Sequence, residues 1–307
     1  MVDSNDLKAV AFILEERLVD GTKRKVPVGT AFFVEIVETP DLSWYYLVTA
    51  RHIVEDPASE VLYVRVNRKE DIGGFTEWTA KRQEWFIHQD ADVAAIPFDP
   101  WTQAEAGFDI IAWPTDRFVG ADYRWNAPPW DQMGGLPVSV GNEVFMVSLF
   151  VQHAGEERNL PIARFGHVAR MPTRLHIKRW RGSIDVEVTA YLVECHSWGG
   201  HSGAPVAWLY PVTRSAPGGV ILGYVRALLG LVSGHWDIPV PAEVTGDILG
   251  KIETGVNAGV AIVTPAEAVR ELLMSEDVAK DREERKKKLG AQKTTPKLDR
   301  ASEEGAS

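Results

Sequence analysis

The sequence predicts an all-β protein built as a barrel or a sandwich. Short apolar runs recur at close intervals, they are rich in β-branched and aromatic residues, and turn residues rather than helical periods separate them. Val10-Ala11-Phe12-Ile13-Leu14 is the first run, and Asp20-Gly21 after it marks a tight turn. Gly29-Thr30-Ala31-Phe32-Phe33-Val34-Glu35-Ile36-Val37 is the second, and Trp44-Tyr45-Tyr46-Leu47-Val48-Thr49-Ala50 the third. Val61-Leu62-Tyr63-Val64-Arg65-Val66 and Val93-Ala94-Ala95-Ile96 complete this strand-rich half.

Residues 100 to about 137 differ. They hold Pro114, Pro128, Pro129 and Pro137, several tryptophans and little periodicity, which reads as a long connection. Strands resume at Glu143-Val144-Phe145-Met146-Val147-Ser148 and continue at 184–191, 220–223, 228–233 and 259–263. Thr264-Pro265-Ala266-Glu267 then reads as a capped helix start, with Val269, Leu272 and Leu273 as its apolar stripe. From Glu276 charge becomes dense, and a fraying helix followed by a disordered tail is expected. The expected division is therefore 8–105 and 138–275 as two strand-rich domains, 106–137 as their connection, and 276–307 as the charged tail.

The composition fits a globular chain with a full core: 307 residues, 45% hydrophobic and 25% charged. A net charge of −10 and a pI near 5.4 argue against nucleic acid as a partner of the body. No apolar run reaches the ~18 residues that span a bilayer, so no membrane partner is expected. The start, Met1-Val2-Asp3-Ser4-Asn5-Asp6, lacks the basic and apolar regions of a secretory signal, and the single cysteine, Cys195, can form no internal disulfide. Both point to a reducing, cytoplasmic setting.

Three segments carry the chemistry: Thr49-Ala50-Arg51-His52, Asp92-Val93-Ala94, and Gly199-Gly200-His201-Ser202-Gly203-Ala204-Pro205. A serine hydroxyl is a weak nucleophile until a base takes its proton, and a histidine base needs a carboxylate to fix its tautomer. Each segment alone has a bland reading: a histidine at a strand end, an aspartate before a strand, a glycine-rich turn. Asp90 competes with Asp92 for the carboxylate role. Together, in the order His, Asp, Ser, they point to nucleophilic acyl transfer. The glycines let the backbone bend and aim the N–H groups of Gly200 and Ser202 at a developing oxyanion.

These blocks resemble those of the trypsin-like, chymotrypsin-fold serine peptidases. Leu47-Val48-Thr49-Ala50-Arg51-His52 is similar to the family's Thr-Ala-x-His block, Asp92-Val93-Ala94 to its Asp-apolar-Ala block, and Gly200-His201-Ser202-Gly203-Ala204-Pro205 to its Gly-Asp-Ser-Gly-Gly-Pro block. Gly29–Val34, Gly230–Gly234 and Asn257–Ile262 look like flanking family strands, so the resemblance spans roughly residues 8–275. It implies two six-stranded β-barrels, with His52 and Asp92 on the first, Ser202 on the second and the cleft between them. It also implies His52 as general base, Asp92 as orienting carboxylate and Ser202 as nucleophile, with no cofactor.

The departures are informative. Position 201 is His where secreted members have the aspartate that pairs with a newly cut N-terminus, so no proteolytic activation is expected. The absent disulfides resemble the bacterial and intracellular branch. Cys195, His196 and His201 form a small cluster, but their spacing matches no zinc pattern, and no metal is expected. The pocket for the residue before the cut is expected from His196, Ser233, Gly234, His235 and Gly259. No acidic residue sits at its floor, so a Lys/Arg preference is not indicated.

The expected activity is endopeptidase cleavage of a protein or peptide substrate. One alternative is a silent trypsin-fold module that holds an extended peptide without cutting it. Another is a regulated peptidase within a larger assembly, with a partner engaged through the charged C-terminal tail.

Overall fold

A computed structural model describes residues 5–55, 60–69, 73–99, 107–126, 134–178, 185–197, 199–216, 219–239 and 255–294. It is an all-β protein of two barrel-like sheets with helices at its C-terminal end. The first sheet contains β1 (Val10–Val19), β2 (Thr22–Thr39), β3 (Leu42–Thr49), β4 (Val61–Asn67), β5 (Phe75–Lys81), β6 (Phe86–Ile87), β7 (Ala94–Phe98) and β8 (Trp113–Pro114). Six are full strands and two, β6 and β8, are two-residue additions, so the expected six became eight. Their order is β5-β4-β1-β2-β3-β7-β6, with β8 running parallel to β2. The β1–β2 connection is the two-residue Asp20-Gly21, both at positive φ (51° and 75°), as a primed hairpin turn requires. A short helix, α1 (Arg51–Glu55), follows β3.

The connection 107–126 and 134–137 is mostly irregular, with one small sheet of β9 (Arg124–Trp125) and β10 (Leu136–Pro137). The second barrel is closed by β11 (Glu143–Ser148), β12 (Ile162–Lys178), β13 (Asp185–Glu194), β14 (Pro205–Ala216), β15 (Gly219–Pro239) and β16 (Gly255–Pro265), in the order β11-β12-β13-β16-β15-β14.

Alternation along the strands of the second barrel explains how the two barrels join. Successive strand residues face opposite sides. On β11, Val144 and Met146 enter the second core while Phe145 and Val147 enter the first. On β14, Val206 and Trp208 face their own barrel while Ala207 and Leu209 face its neighbour. The apolar interface is thus continuous with the first core. The connection reinforces this seam where the Val119 N–H donates to the Leu228 carbonyl at 3.0 Å.

The C-terminal end departs from expectation in two ways. Helix α2 (Ala266–Leu273) begins after Pro265 with no side-chain cap, and Thr264 instead hydrogen-bonds the Ser233 hydroxyl. Strand pairing reaches Pro265, which pairs with Gly230, and so consumes the residue expected to cap. Residues 276–294, expected to open the charged tail as a fraying helix, form the 19-residue helix α3 (Glu276–Thr294). Its sequence shows little apolar periodicity because one fully buried residue, Val278, and cationic side chains anchor it. Arg285 lies over the Trp44 and Tyr46 rings, its guanidinium donates to the Tyr46 hydroxyl at 2.8 Å, and Lys286 pairs with Glu38. Lys280–Glu276 and Arg285–Asp281 add i,i+4 pairs. The tail at 295–307 lies outside the described residues. Among the described residues, no helix is long and apolar enough to cross a membrane.

Candidate active site

His52 is the second residue of α1, so its backbone N–H lies in the first helical turn and has no partner within the helix. Asp92, forty residues on, supplies that partner: the His52 N–H donates to Asp92 Oδ1 at 2.9 Å. The other carboxylate oxygen, Oδ2, lies 2.8 Å from His52 Nδ1. One carboxylate therefore grips the residue at backbone and ring together, fixing ring orientation and leaving Nε2 as the outward nitrogen. The imidazole is 37% exposed and the carboxylate 11%, so the pair is shielded from behind and open in front.

The turn carrying Asp92 is itself held. Arg51 Nη1 donates to the carbonyls of His88 and Gln89 at 3.0 and 2.8 Å. His88 Nδ1 accepts from the Asp90 and Ala91 N–H groups, and its Nε2 lies 3.2 Å from Glu271 of α2. Asp90, the competing carboxylate, is exposed at the top of this turn, and Asp92 makes the contact.

Ser202 stands on the loop between β13 and β14. Gly200 and Gly203 take φ of 95° and 81°, which only glycine accepts cheaply. At Gly203 a Cβ would also overlap the Thr30 carbonyl oxygen and the Thr49 hydroxyl. The Ser202 loop is thereby pressed onto Thr49 and Ala50, directly ahead of α1 and His52.

Thr30 of β2 ties this loop to the first barrel, and sequence reasoning did not single it out. Its N–H donates to the Ser202 carbonyl at 2.9 Å and its hydroxyl to the Gly200 carbonyl at 2.9 Å. The same hydroxyl accepts from the Leu149 N–H at 2.9 Å, and the Thr30 carbonyl accepts from the Thr49 hydroxyl at 2.7 Å. All four bonds are buried or lie along the seam, where each is worth more than in water. The only sequence signal was a hydroxyl residue set among the apolar residues Ala31 to Val34 and Val28. From the other side, Gly203 N–H donates to the Val232 carbonyl at 2.7 Å, and Val232 N–H to the Ala204 carbonyl at 2.9 Å.

The predicted pocket residues gather beside this loop. Cys195 N–H donates to the Gly259 carbonyl at 2.9 Å, and the Asn257 side chain bonds the Ser197 carbonyl. The His196 ring lies where a Cβ on Gly259 would touch it, 3.4 Å from Cε1. Ser233 stands at a register shift of β15 and turns to Thr264, while His235 Nε2 lies 3.3 Å from Asp237. A Cβ on Gly234 would meet nothing within 4 Å.

His201 is fully buried. Burial, followed by the nearby Arg164 and His235, lowers its pKa to about 4, so it is neutral at physiological pH. Burial pushes the Cys195 thiol up, with Arg164 opposing. Cys195 and His201 are thus enclosed while His196 is exposed at the loop surface. Among the described residues, no three His, Cys, Asp or Glu side chains gather as a metal site.

No protein-family model matches the chain, and no curated protein matches it. Among solved structures it is similar to the protease domain of MamO from Magnetospirillum magneticum, at 14% identity over 89% of this chain and 99% of that one, with a TM-score of 0.48. It is similar also to the active form of the Rv3671c protease from M. tuberculosis, at 14% identity over 87% and 80% of the two chains, TM-score 0.41. Human heparin binding protein aligns at 10% identity over 89% and 92%, TM-score 0.41.

Proposed function

We propose that the chain is a serine endopeptidase that acts through an acyl-enzyme on Ser202. The observation that carries this reading is the two-point grip of Asp92 on His52, together with a glycine-built serine loop bonded to Thr30 and packed against Thr49 and Ala50, the residues directly ahead of the helix that bears His52. His52 Nε2 takes the Ser202 proton as the hydroxyl attacks a peptide carbonyl. Asp92 stabilises the imidazolium. The backbone N–H groups of Gly200 and Ser202 receive the oxyanion. His52 then gives its proton to the leaving amine, and water releases the acid by the reverse path. The neutral, buried His201 leaves no anion for a newly cut N-terminus to meet, so activity needs no such pairing.

The test is covalent capture with a fluorophosphonate, locating the modified residue by mass spectrometry. Ser202 is the expected site, and Ser202→Ala should lose both capture and peptide turnover, the latter by several orders of magnitude. Equal capture by wild type and Ser202→Ala would end the proposal. Retained binding of an extended peptide without cleavage or capture would favour the silent peptide-holding module.

A further inference from the structure

Arg164 stands on β12 across from Met146 of β11. Opposed residues of an antiparallel pair share a face, and Met146 lies in the second barrel's core. Arg164 therefore projects to the inner side of that barrel, at its mouth. Gly166, two residues on, faces the same way. A side chain there would overlap the Glu194 carbonyl and come within 2.9 Å of Cys195 Cβ. The segment leading to Ser202 thus crosses the barrel mouth against the very face that carries Arg164.

The charge balance at this mouth is one-sided. The charge of Arg164 is close enough to bear on both Cys195 and His201, the residues that flank the bend before Ser202. Among the described residues it has no carboxylate partner, and its buried Nε makes no hydrogen bond. His201 is neutral, His235 and His196 stand on the rim, and the nearby carboxylates are turned elsewhere. Asp237 is engaged by His235, and Glu194 is exposed on the opposite face of β13 from Cys195. The residue is only half-buried, so its guanidinium is shielded at Nε and has no carboxylate fixed on it. The rim is also open, since a Cβ on Gly199 or Gly234 would meet nothing within 4 Å.

We propose that this mouth receives the carboxylate of an acidic substrate side chain, Asp or Glu, on the residue whose carbonyl Ser202 attacks, with Arg164 as the principal counter-charge and His235 at the rim. This rests on the peptidase reading and gives it a substrate class. A guanidinium offers a carboxylate two parallel donors, whereas a Lys or Arg side chain would bring a second cation to the same place.

The experiment compares two peptides, identical except for Glu or Gln before the cut bond, on the full chain. Wild type should cleave the Glu peptide about tenfold to a hundredfold more efficiently, the range of a charge-assisted pair. Arg164→Gln should bring that ratio near one, and Arg164→Lys should keep part of it. The ratio is taken within each variant, so a loss of folding common to both peptides cancels. Fluorophosphonate capture at Ser202 with equal cleavage of the two peptides would overturn the acidic preference and leave the peptidase reading intact. Absence of both capture and cleavage would instead overturn the peptidase reading. Fluorescence anisotropy of the two labelled peptides on Ser202→Ala then decides the mouth: tighter binding of the Glu peptide, lost in Arg164→Gln, supports it, and equal binding sinks it.

Discussion

The two barrels hold their halves of the site by opposite means. On the first, His52 is fixed by a side chain that reaches it through space, and the Asp92 turn is braced in turn by Arg51 and His88. Polar side chains do the work, and the packed strands merely carry them. On the second, Ser202 sits in a loop whose shape is set by glycines at positive φ and by backbone bonds to Thr30 and Val232. There the backbone does the work and side chains are mostly excluded. The first half should therefore fail through electrostatics and the second through sterics.

The largest separation between the halves should come from Asp92→Asn. An amide cannot hold the required tautomer, so turnover should fall about 10⁴-fold while the melting temperature moves little. A fall of less than tenfold would mean that the grip on His52 is structural only. Gly203→Ala should do the reverse damage. Its methyl has no room beside the Thr30 carbonyl and the Thr49 hydroxyl, so denaturant unfolding should show a loss of roughly 3 kcal/mol or more. A well-folded Gly203→Ala variant would show that the loop is not pressed on the first barrel.

A pH measurement sharpens the contrast further. The His201 pKa is lowered to about 4 in the folded chain, against about 6.5 for a solvated imidazole. Between those values the unfolded chain binds a proton that the folded chain refuses. Stability therefore rises with pH across this window and is lost as pH falls from about 6.5 toward 4. Between pH 7 and pH 5 the loss from this residue should be about 2 kcal/mol. Wild type should accordingly lose more stability over that interval than His201→Gln, and equal slopes would remove the buried histidine from the account.

The smallest effect bridges the two halves. Thr30→Val keeps shape but removes the hydroxyl that donates to Gly200 and accepts from Leu149. Turnover should drop about tenfold, at a cost of about 1–2 kcal/mol. Thr30→Ser should recover most of it, with KM nearly constant in both. Failure of serine to rescue would assign the threonine to packing alone.

Much of this was legible in one dimension. Strand-forming runs announced themselves by residue type, and Asp20-Gly21 specified its hairpin because few other pairs accept two positive φ values. His52, Asp92 and Ser202 stood out because their neighbours form recognisable local blocks. The length and docking of the helix at 276–294 were not legible, since its cations lie on Trp44 and Tyr46, more than two hundred residues away. Thr30 and Arg164 were hidden for the same reason: each looks ordinary in its strand and gains meaning from residues that only folding brings beside it.

The order of residues alone marked most of the strand-forming runs and the Asp20-Gly21 turn, and it singled out His52, Asp92 and Ser202 by their chemistry; it did not mark β5, β12 or β14, whose runs mix polar with apolar residues. Only folding showed how Asp92 grips His52 at backbone and ring together, that Thr30 spans the seam, and that Arg164 comes near Cys195 and His201. Local preference is written in neighbouring residues, whereas a contact across forty or a hundred and seventy positions depends on how two barrels twist and pack, which no short window of sequence contains.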